Sequence, residues 1–362
     1  MDVFIVDAVR TPIGRGKADG ALHNIHPVDL LAHVLAPFKS YPVEDIICGC
    51  VTATGEQGTN IGRLAGLKAG YPIEIPGLQL NRFCGSGQQA IHFAAQAIAS
   101  GDMEMAIGCG VESMSRVAMG SDGALTDEFR ADFPCKLLHQ GISAEMIAEK
   151  WGISRGEMDD FAIESHCRAA ASRSEGIIPL NGLDRDEGVR ANPDVARIRA
   201  LKPVFRPDGV VTAANSSQIS DGAAAVLLAS GEAADKFGLK KQARIVARAV
   251  VGSDPELMLT GPIAATQKAL KMAGLTAEDI DAFEINEAFA CVPLVWAREI
   301  RPPANRLNIQ GGAIAHGHPL GATGAVLMTK LVNILKKTGG RYGLQSMCIG
   351  FGMATATIIE LN

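Results

Sequence analysis

The stretch NRFCGSGQQA, residues 81 to 90, sets a single cysteine, Cys84, between an apolar run and an amphipathic one. The run before it, Leu78 to Phe83, reads as a strand. The run after it, Ser86 to Ser100, reads as a helix, because Ile91, Ala94, Ala95 and Ile98 fall at i, i+3, i+4 and i+7. A strand that turns on glycine into a helix is the repeating unit of an α/β protein. Other apolar runs extend the pattern, with strands expected over Val3 to Val9, Ile46 to Val51 and Met105 to Gly108. Locally, Cys84 has three open readings: a nucleophile, a metal ligand or a small buried side chain.

The chain has 362 residues, about two domains on the usual length prior, and 47% of them are hydrophobic, which is ample for a large core. With 40 glycines and only 5% aromatics, it suits helices packed closely on strands. A net charge of −5 with no Lys/Arg block argues against nucleic acid as a partner. No apolar run approaches the roughly 18 residues of a membrane helix. MDVFIVDAVRTP, acidic at Asp2 and Asp7, reads as a first strand and not a signal peptide. The final Glu360-Leu361-Asn362 spells no peroxisomal or ER address. No membrane partner and a cytoplasmic location are therefore expected. Cys48, Cys50, Cys84, Cys109, Cys135, Cys167, Cys291 and Cys348 form no CxxC pair, so neither a disulfide framework nor a structural zinc site is expected.

From about Ser113 to Phe205 the chain turns more charged and more helical. Ser154 and Glu157 form a capping-box signature ahead of a long amphipathic helix. This region, about 113–205, reads as an inserted, mostly helical loop subdomain. From Asp221 the alternation resumes, with strands in DGAAAVLLAS, RIVARAVVG and DAFEINEAF and a helix in GPIAATQKALKMAG. Near the end, Leu327, Leu331, Ile334 and Leu335 make a helical stripe, and MCIGFGMATATIIEL supplies two strands around a glycine turn. NRFCGSG through GCGVES and HGHPLGATG through CIGFG run in the same order: reactive-type residue, glycine turn, helix, strand. The repeat divides the chain into halves at 1–242 and 243–362, whose matching turns would share a site if they face one another.

Four turns carry groups fit for chemistry. At Cys84, a helix N-terminus favours thiolate, and Gly85 and Gly87 leave room for a substrate carbonyl. The plain alternative is a buried structural cysteine. In GGAIAHGHPLGATG, His316 and His318 offer imidazoles able to take or give a proton. They also read as satisfied turn histidines or a His-x-His metal pair, although no nearby cluster supplies further ligands. Asn286 and Glu287 stand at a strand end, where α/β enzymes place functional polar groups, or they cap the next helix. Cys348 repeats the motif of a cysteine ahead of a glycine turn, with a small buried residue as its alternative.

Together, NRFCGSG, NEAF, GGAIAHGHPLGATG and CIGFGM stand in the order and approximate spacing of the thiolase family, the acetyl-CoA acetyltransferases and 3-ketoacyl-CoA thiolases. VFIVDAVRTPIGR, HQGISAE, DEGVR and TAANSSQISDGAAA extend the resemblance over the whole chain. The resemblance implies an α/β fold of two similar halves layered α-β-α-β-α. It also implies reversible thiolysis of 3-ketoacyl-CoA, or the reverse Claisen condensation, in fatty acid metabolism. Cys84 would be the acylated nucleophile, His318 its base, and Cys348 the acid/base at the α-carbon of acetyl-CoA. His318 and a water held by Asn286 would line one oxyanion hole, and the N–H groups of Cys84 and Gly350 the other. Ser217, His139, Phe205, Arg190 and Phe289 match family contacts to coenzyme A, which enters as co-substrate with no permanently bound cofactor and no metal. A homodimer or homotetramer is expected by the same analogy. The chain departs from the family pattern at His316, where an apolar residue is common, and at Phe351 and Ala354, where glycine is usual. Its TAANSSQ replaces a glycine-containing version, and its middle region is shorter, around Gly182 to Asp186. The rival readings are a ketoacyl-synthase-like condensing enzyme, which would lack Cys348, and a catalytically silent acyl-CoA-binding relative.

Overall fold

The computed structural model of the protein describes residues 1–123, 125–172 and 176–361; positions 124 and 173–175, within the expected insert, and 362 lie outside the described residues. Among the described residues ten strands occur. They are β1 (Val3–Arg10), β2 (Gly14–Arg15), β3 (Ile46–Gly49), β4 (Gly77–Leu80), β5 (Met105–Ser113), β6 (Ser220–Ser230), β7 (Ala243–Gly252), β8 (Ala282–Ile285), β9 (Tyr342–Ile349) and β10 (Met353–Leu361). Nine follow one hydrogen-bonded path, β4-β3-β5-β6-β1-β7-β10-β9-β8, and β2 pairs with β6 beside it.

The path contains the same pattern twice. In the first half β3 runs parallel to β5, β5 antiparallel to β6, and β6 antiparallel to β1. In the second half β8 runs parallel to β9, β9 antiparallel to β10, and β10 antiparallel to β7. The outer strand β4 has its counterpart in one parallel bridge, Phe283 to Leu307, beside β8. The helices match in order too: Pro27–Leu35 with Gly261–Ala273, Ile61–Ala69 with Cys291–Ile300, and Ser86–Ser100 with Thr323–Thr338. The halves join where Phe4 and Ile5 of β1 meet Arg244 and Ala243 of β7.

Alternation along the strands builds the layers. In β6, Ala224, Val226 and Leu228 face a central core made with the helices Ser86–Ser100 and Thr323–Thr338. Ala223, Ala225, Leu227 and Ala229 face the opposite core, under the helices Pro27–Leu35 and Ile61–Ala69. On the far side, Ala247, Ala249, Ala354 and Ala356 pack under the helix Gly261–Ala273 and Trp296. The result is the expected α-β-α-β-α stack. With both faces covered, β6 reads in sequence as one unbroken apolar run.

Four strand ends differ from the sequence expectation. β5 runs past Gly108 to Ser113, because its pairing with β6 continues to Ser113 opposite Asp221. β4 stops at Leu80, not Phe83, because side chains take over the backbone there. Phe83 N–H donates to Asn81 Oδ1 (2.7 Å) and Arg82 N–H to Ser86 Oγ (2.8 Å). β3 stops at Gly49 because the N–H groups of Val51 and Thr52 turn to the Glu112 carboxylate. β8 holds only Ala282–Ile285, so NEAF lies beyond the strand, with Phe289 bridged to Ser216.

Between β5 and β6 the chain carries the helices Asp127–Ala131, Gln140–Trp151, Arg155–Ala171 and Val195–Ala200, the third opened by the capping box of Ser154 and Glu157. The matching connection in the second half, β9 to β10, is only residues 350–352.

Candidate active site

Cys84 stands between β4 and the helix Ser86–Ser100, buried, on a turn where Phe83 takes a left-handed φ of +45°. Burial pushes its thiol up to about 12. Its own backbone N–H, that of Gly350 and the Gln140 side chain all bond toward the sulfur and pull the other way, while Glu112 adds to the rise. The resting group is therefore a thiol that needs a base.

His318 supplies an imidazole in a defined tautomer. Its Nε2 faces Asn286 Nδ2 at 3.3 Å, and an amide nitrogen only donates, so Nε2 accepts. Its Nδ1 therefore carries the proton and donates to Thr323 Oγ1 at 2.6 Å, and that hydroxyl donates on to Pro319 O at 2.8 Å. Burial holds His318 down at about 4, so the ring is a neutral base at physiological pH. Its backbone N–H is fixed by Gln218 O and Ser220 Oγ, both at 3.1 Å. Gly317, at φ +105°, makes the turn possible, since a Cβ there would overlap the Ser220 hydroxyl.

Cys348 ends the same circuit. Burial pushes its thiol up, the neighbouring Cys84 and Cys291 add to this, and the Asn286 side chain, bonded to the sulfur, opposes. Asn286 thus touches both His318 and Cys348. Its Oδ1 is buried without a partner among the described residues, an acceptor that bulk water does not reach.

A cavity of about 420 Å³ opens beside these groups, with His318, His139, Phe205, Ser217, Phe289 and Phe351 in its wall. Met114 and Leu320, also in the wall, pack in one apolar cluster with Cys84. His139 caps the helix Gln140–Trp151 by accepting from Gly141 N–H, and its ring lies 5.0 Å from that of Phe205. Phe205 in turn meets Phe289 edge-on at 6.0 Å. Gly141 is required beneath it, because a Cβ would run into the Phe205 ring. Arg190 lies apart, lining another cleft with Asn192, Asp194 and Arg197. A larger hollow of about 700 Å³, against Ala169 and Asp186, holds none of the candidate residues.

Three supporting residues escaped the sequence reading. Gln140 and Thr323 are described above. Glu112, fully buried, accepts from Val51 N–H, Thr52 N–H, Gln57 Nε2 and Gly321 N–H within 3.0 Å, tying the turn after β3 to the His318 turn. Its neighbours in sequence, GCGVES, signal only a strand.

The structure also settles His316. Its Nδ1 donates to Gly317 O at 3.0 Å and its Nε2 accepts from Lys330 Nζ at 3.3 Å, so neither nitrogen is left for a metal. Lys330 is itself buried, 3.0 Å from Glu284 and 2.7 Å from Gly311 O. Burial pushes Glu284 up and Lys330 pulls it back. This buried network lies directly behind the His318 turn.

A duplicated α/β fold that sets a neutral imidazole, a carboxamide and two thiols beside one apolar cavity is built for acyl transfer through cysteine. Known proteins make that class specific. Residues 3–232 match the thiolase N-terminal domain and residues 239–361 the thiolase C-terminal domain. The chain belongs to the thiolase family, the acyl-CoA C-acyltransferases that work through an acyl-cysteine. It is 46% identical over 386 residues to the steroid 3-ketoacyl-CoA thiolase FadA6 of Mycobacterium tuberculosis, covering 99% of this chain and 94% of that protein. It is 42% identical to a 3-ketoacyl-CoA thiolase of Vibrio parahaemolyticus, covering 99% and 98%. The crystal structure of human mitochondrial 3-ketoacyl-CoA thiolase superposes with a TM-score of 0.90 at 35% identity, covering 100% of this chain and 99% of that one.

Proposed function

We propose that the protein cleaves 3-ketoacyl-CoA with coenzyme A, and runs the reverse condensation, with Cys84 as nucleophile, His318 as its base and Cys348 as the acid/base at the α-carbon. The thiol of Cys84 gives its proton to His318 Nε2 as sulfur attacks the C3 carbonyl. The C2–C3 bond breaks, the acyl group stays on Cys84, and the departing acetyl-CoA enolate takes a proton from Cys348. Coenzyme A then attacks the thioester, its thiol proton restores Cys348, and His318 returns its proton to the leaving Cys84 sulfur. The N–H groups of Cys84 and Gly350 face the reacting sulfur and serve the tetrahedral oxyanion at that thioester. A water bonded to Asn286 Oδ1 keeps one hydrogen for the enolate oxygen, beside His318. The pantetheine arm of coenzyme A lies in the cavity along Ser217, Phe289 and the adjoining, mutually tilted rings of His139 and Phe205.

One observation carries this reading. Asn286 bonds both the lone-pair nitrogen of a neutral His318 and the thiol of Cys348, which itself neighbours Cys84. A structural cluster has no need of an unprotonated ring nitrogen held by the same amide that bonds a thiol.

Radiolabelled acetyl-CoA tests the two thiols separately. Label stays on the intact protein and on Cys348→Ala after denaturation, and none stays on Cys84→Ala. Cys348→Ala also loses exchange of the acetyl-CoA α-protons with deuterium oxide. Label on Cys84→Ala, or full thiolysis by it, removes the mechanism.

A further inference from the structure

The turn that follows Cys348 holds a side chain where the backbone favours none. Phe351 has a φ of +59°, in the left-handed region that glycine enters freely and a residue with a Cβ does not. Phe83, directly before Cys84, is strained in the same sense at φ +45°. The two rings meet edge-to-face at 5.3 Å and 64°. Each reactive cysteine turn thus keeps a strained aromatic, and the two are packed on one another. Strain that persists at a site asks for a function.

Phe83 is the fixed member. Its N–H is held by Asn81, and its carbonyl accepts from both the N–H (2.9 Å) and the hydroxyl (2.6 Å) of Ser86. Its ring also lies over Gly350, where an added Cβ would sit 3.7 Å from the ring. Phe351 leans on this brace and presents its remaining surface to the cavity that also holds His318. One cavity of about 420 Å³ has to take both the pantetheine arm and the acyl group. A benzyl group standing in it, on the turn next to the cysteines, takes its space from the acyl side.

We propose that Phe351, braced by Phe83, is the specificity-determining side chain of this site, closing the acyl end of the cavity against long or bulky acyl groups. The inference rests on the acyl-transfer reading above and names which substrates that site accepts. Compact apolar 3-ketoacyl groups fit against the ring, and longer chains meet it.

The test compares kcat/KM for acetoacetyl-CoA and 3-ketohexadecanoyl-CoA, each with coenzyme A, in the full-length protein and in two variants. Phe351→Gly removes ring and strain together, and Phe351→Ala removes the ring but keeps the Cβ. In both, the long-to-short ratio of kcat/KM rises about tenfold or more. A ratio that stays the same, or falls, in folded and active variants overturns the inference, because the ring is then only a staple between turns. A rise in Phe351→Gly alone overturns it too, because backbone freedom is then the cause. Absence of turnover of either substrate by the unaltered protein sinks the acyl-transfer reading, and this inference with it.

Discussion

A single hydroxyl decides how the His318 ring is set. Thr323 Oγ1 has one hydrogen, and it goes to Pro319 O, so the oxygen is left to accept from His318 Nδ1. That keeps the lone pair on Nε2, the nitrogen facing Asn286. Thr323 is not in the cavity wall, and it acts as a positioning residue through the His318 ring. In Thr323→Val the ring loses a buried bond of about 1–1.5 kcal/mol, and kcat falls roughly tenfold while KM for coenzyme A changes little. Thr323→Ser, which keeps the oxygen, restores most of the rate. A rise in KM with kcat untouched, or no rescue by serine, would show that Thr323 matters only for packing. The neighbouring pair of His316 and Lys330 is of another kind. There a buried ammonium is shared among Glu284, a carbonyl and a ring nitrogen, and an apolar residue at His316 would remove one of its acceptors.

The elements that carry these residues are two helices, Ser86–Ser100 and Thr323–Thr338, which cross near their N-termini. The crossing works because both are bare there. A Cβ on Gly324 would overlap the backbone N of Gln88, and one on Gly87 would come within 2.7 Å of Gly321 O. Close approach puts the Cys84 turn and the His318 turn side by side, each leading into its own helix. Gly324→Ala forces backbone against backbone and lowers stability by about 2–3 kcal/mol, read as a fall in the urea midpoint at unchanged slope. An unshifted midpoint would mean the helices part without loss and do not fix the site. Both helices were legible in the sequence, because their apolar stripes have the period of 3.6 and their ends carry glycine. The duplication was legible as well, from the order of motif, turn, helix and strand. Strand ends were not. Leu78 to Phe83 reads as one apolar run, and only the tertiary contacts of Asn81 and Ser86 lift Phe83 out of the sheet. The four reactive-type side chains stood out by residue type, Cys84, His318 and Cys348 beside glycine turns and Asn286 at a strand end. Gln140 and Glu112 did not, because their partners lie on other turns, about two hundred residues away for Glu112 with Gly321. Thr323 has local partners in His318 and Pro319, but in sequence it reads only as the start of a helix. Arg190 matched by sequence position alone, and the fold carries it to a different cleft.

Across the whole molecule, the central packing that makes the site also buries several histidines. Burial is the first cause in each case, holding His318 and His166 down at about 4, His92 at about 3 and His316 well below its usual value. For His92, Arg248 and Arg82 add to the burial effect, and its Nε2 is engaged by Thr357 Oγ1 at 2.7 Å, across the interface of the two halves. A depressed histidine leaves the folded ring neutral while the unfolded ring takes a proton below its ordinary value of 6.5. Between those limits the unfolded chain binds more protons, so stability is complete above about 6.5 and drains as pH falls toward the folded value. The buried carboxyls Glu112, Glu284 and Glu287, pushed up by burial, work in the opposite direction. A single-residue difference separates the two effects. Between pH 7 and pH 5, His92 contributes a loss of about 2 kcal/mol, following from its low folded value. His92→Gln keeps the size and a polar end but removes the titration, so its loss over the same interval is smaller than that of the unaltered protein by about that amount. Urea midpoints of both proteins at the two pH values measure this double difference directly. Equal losses in the two would mean that His92 takes its proton in the folded state, and that the joint between the halves is open to water.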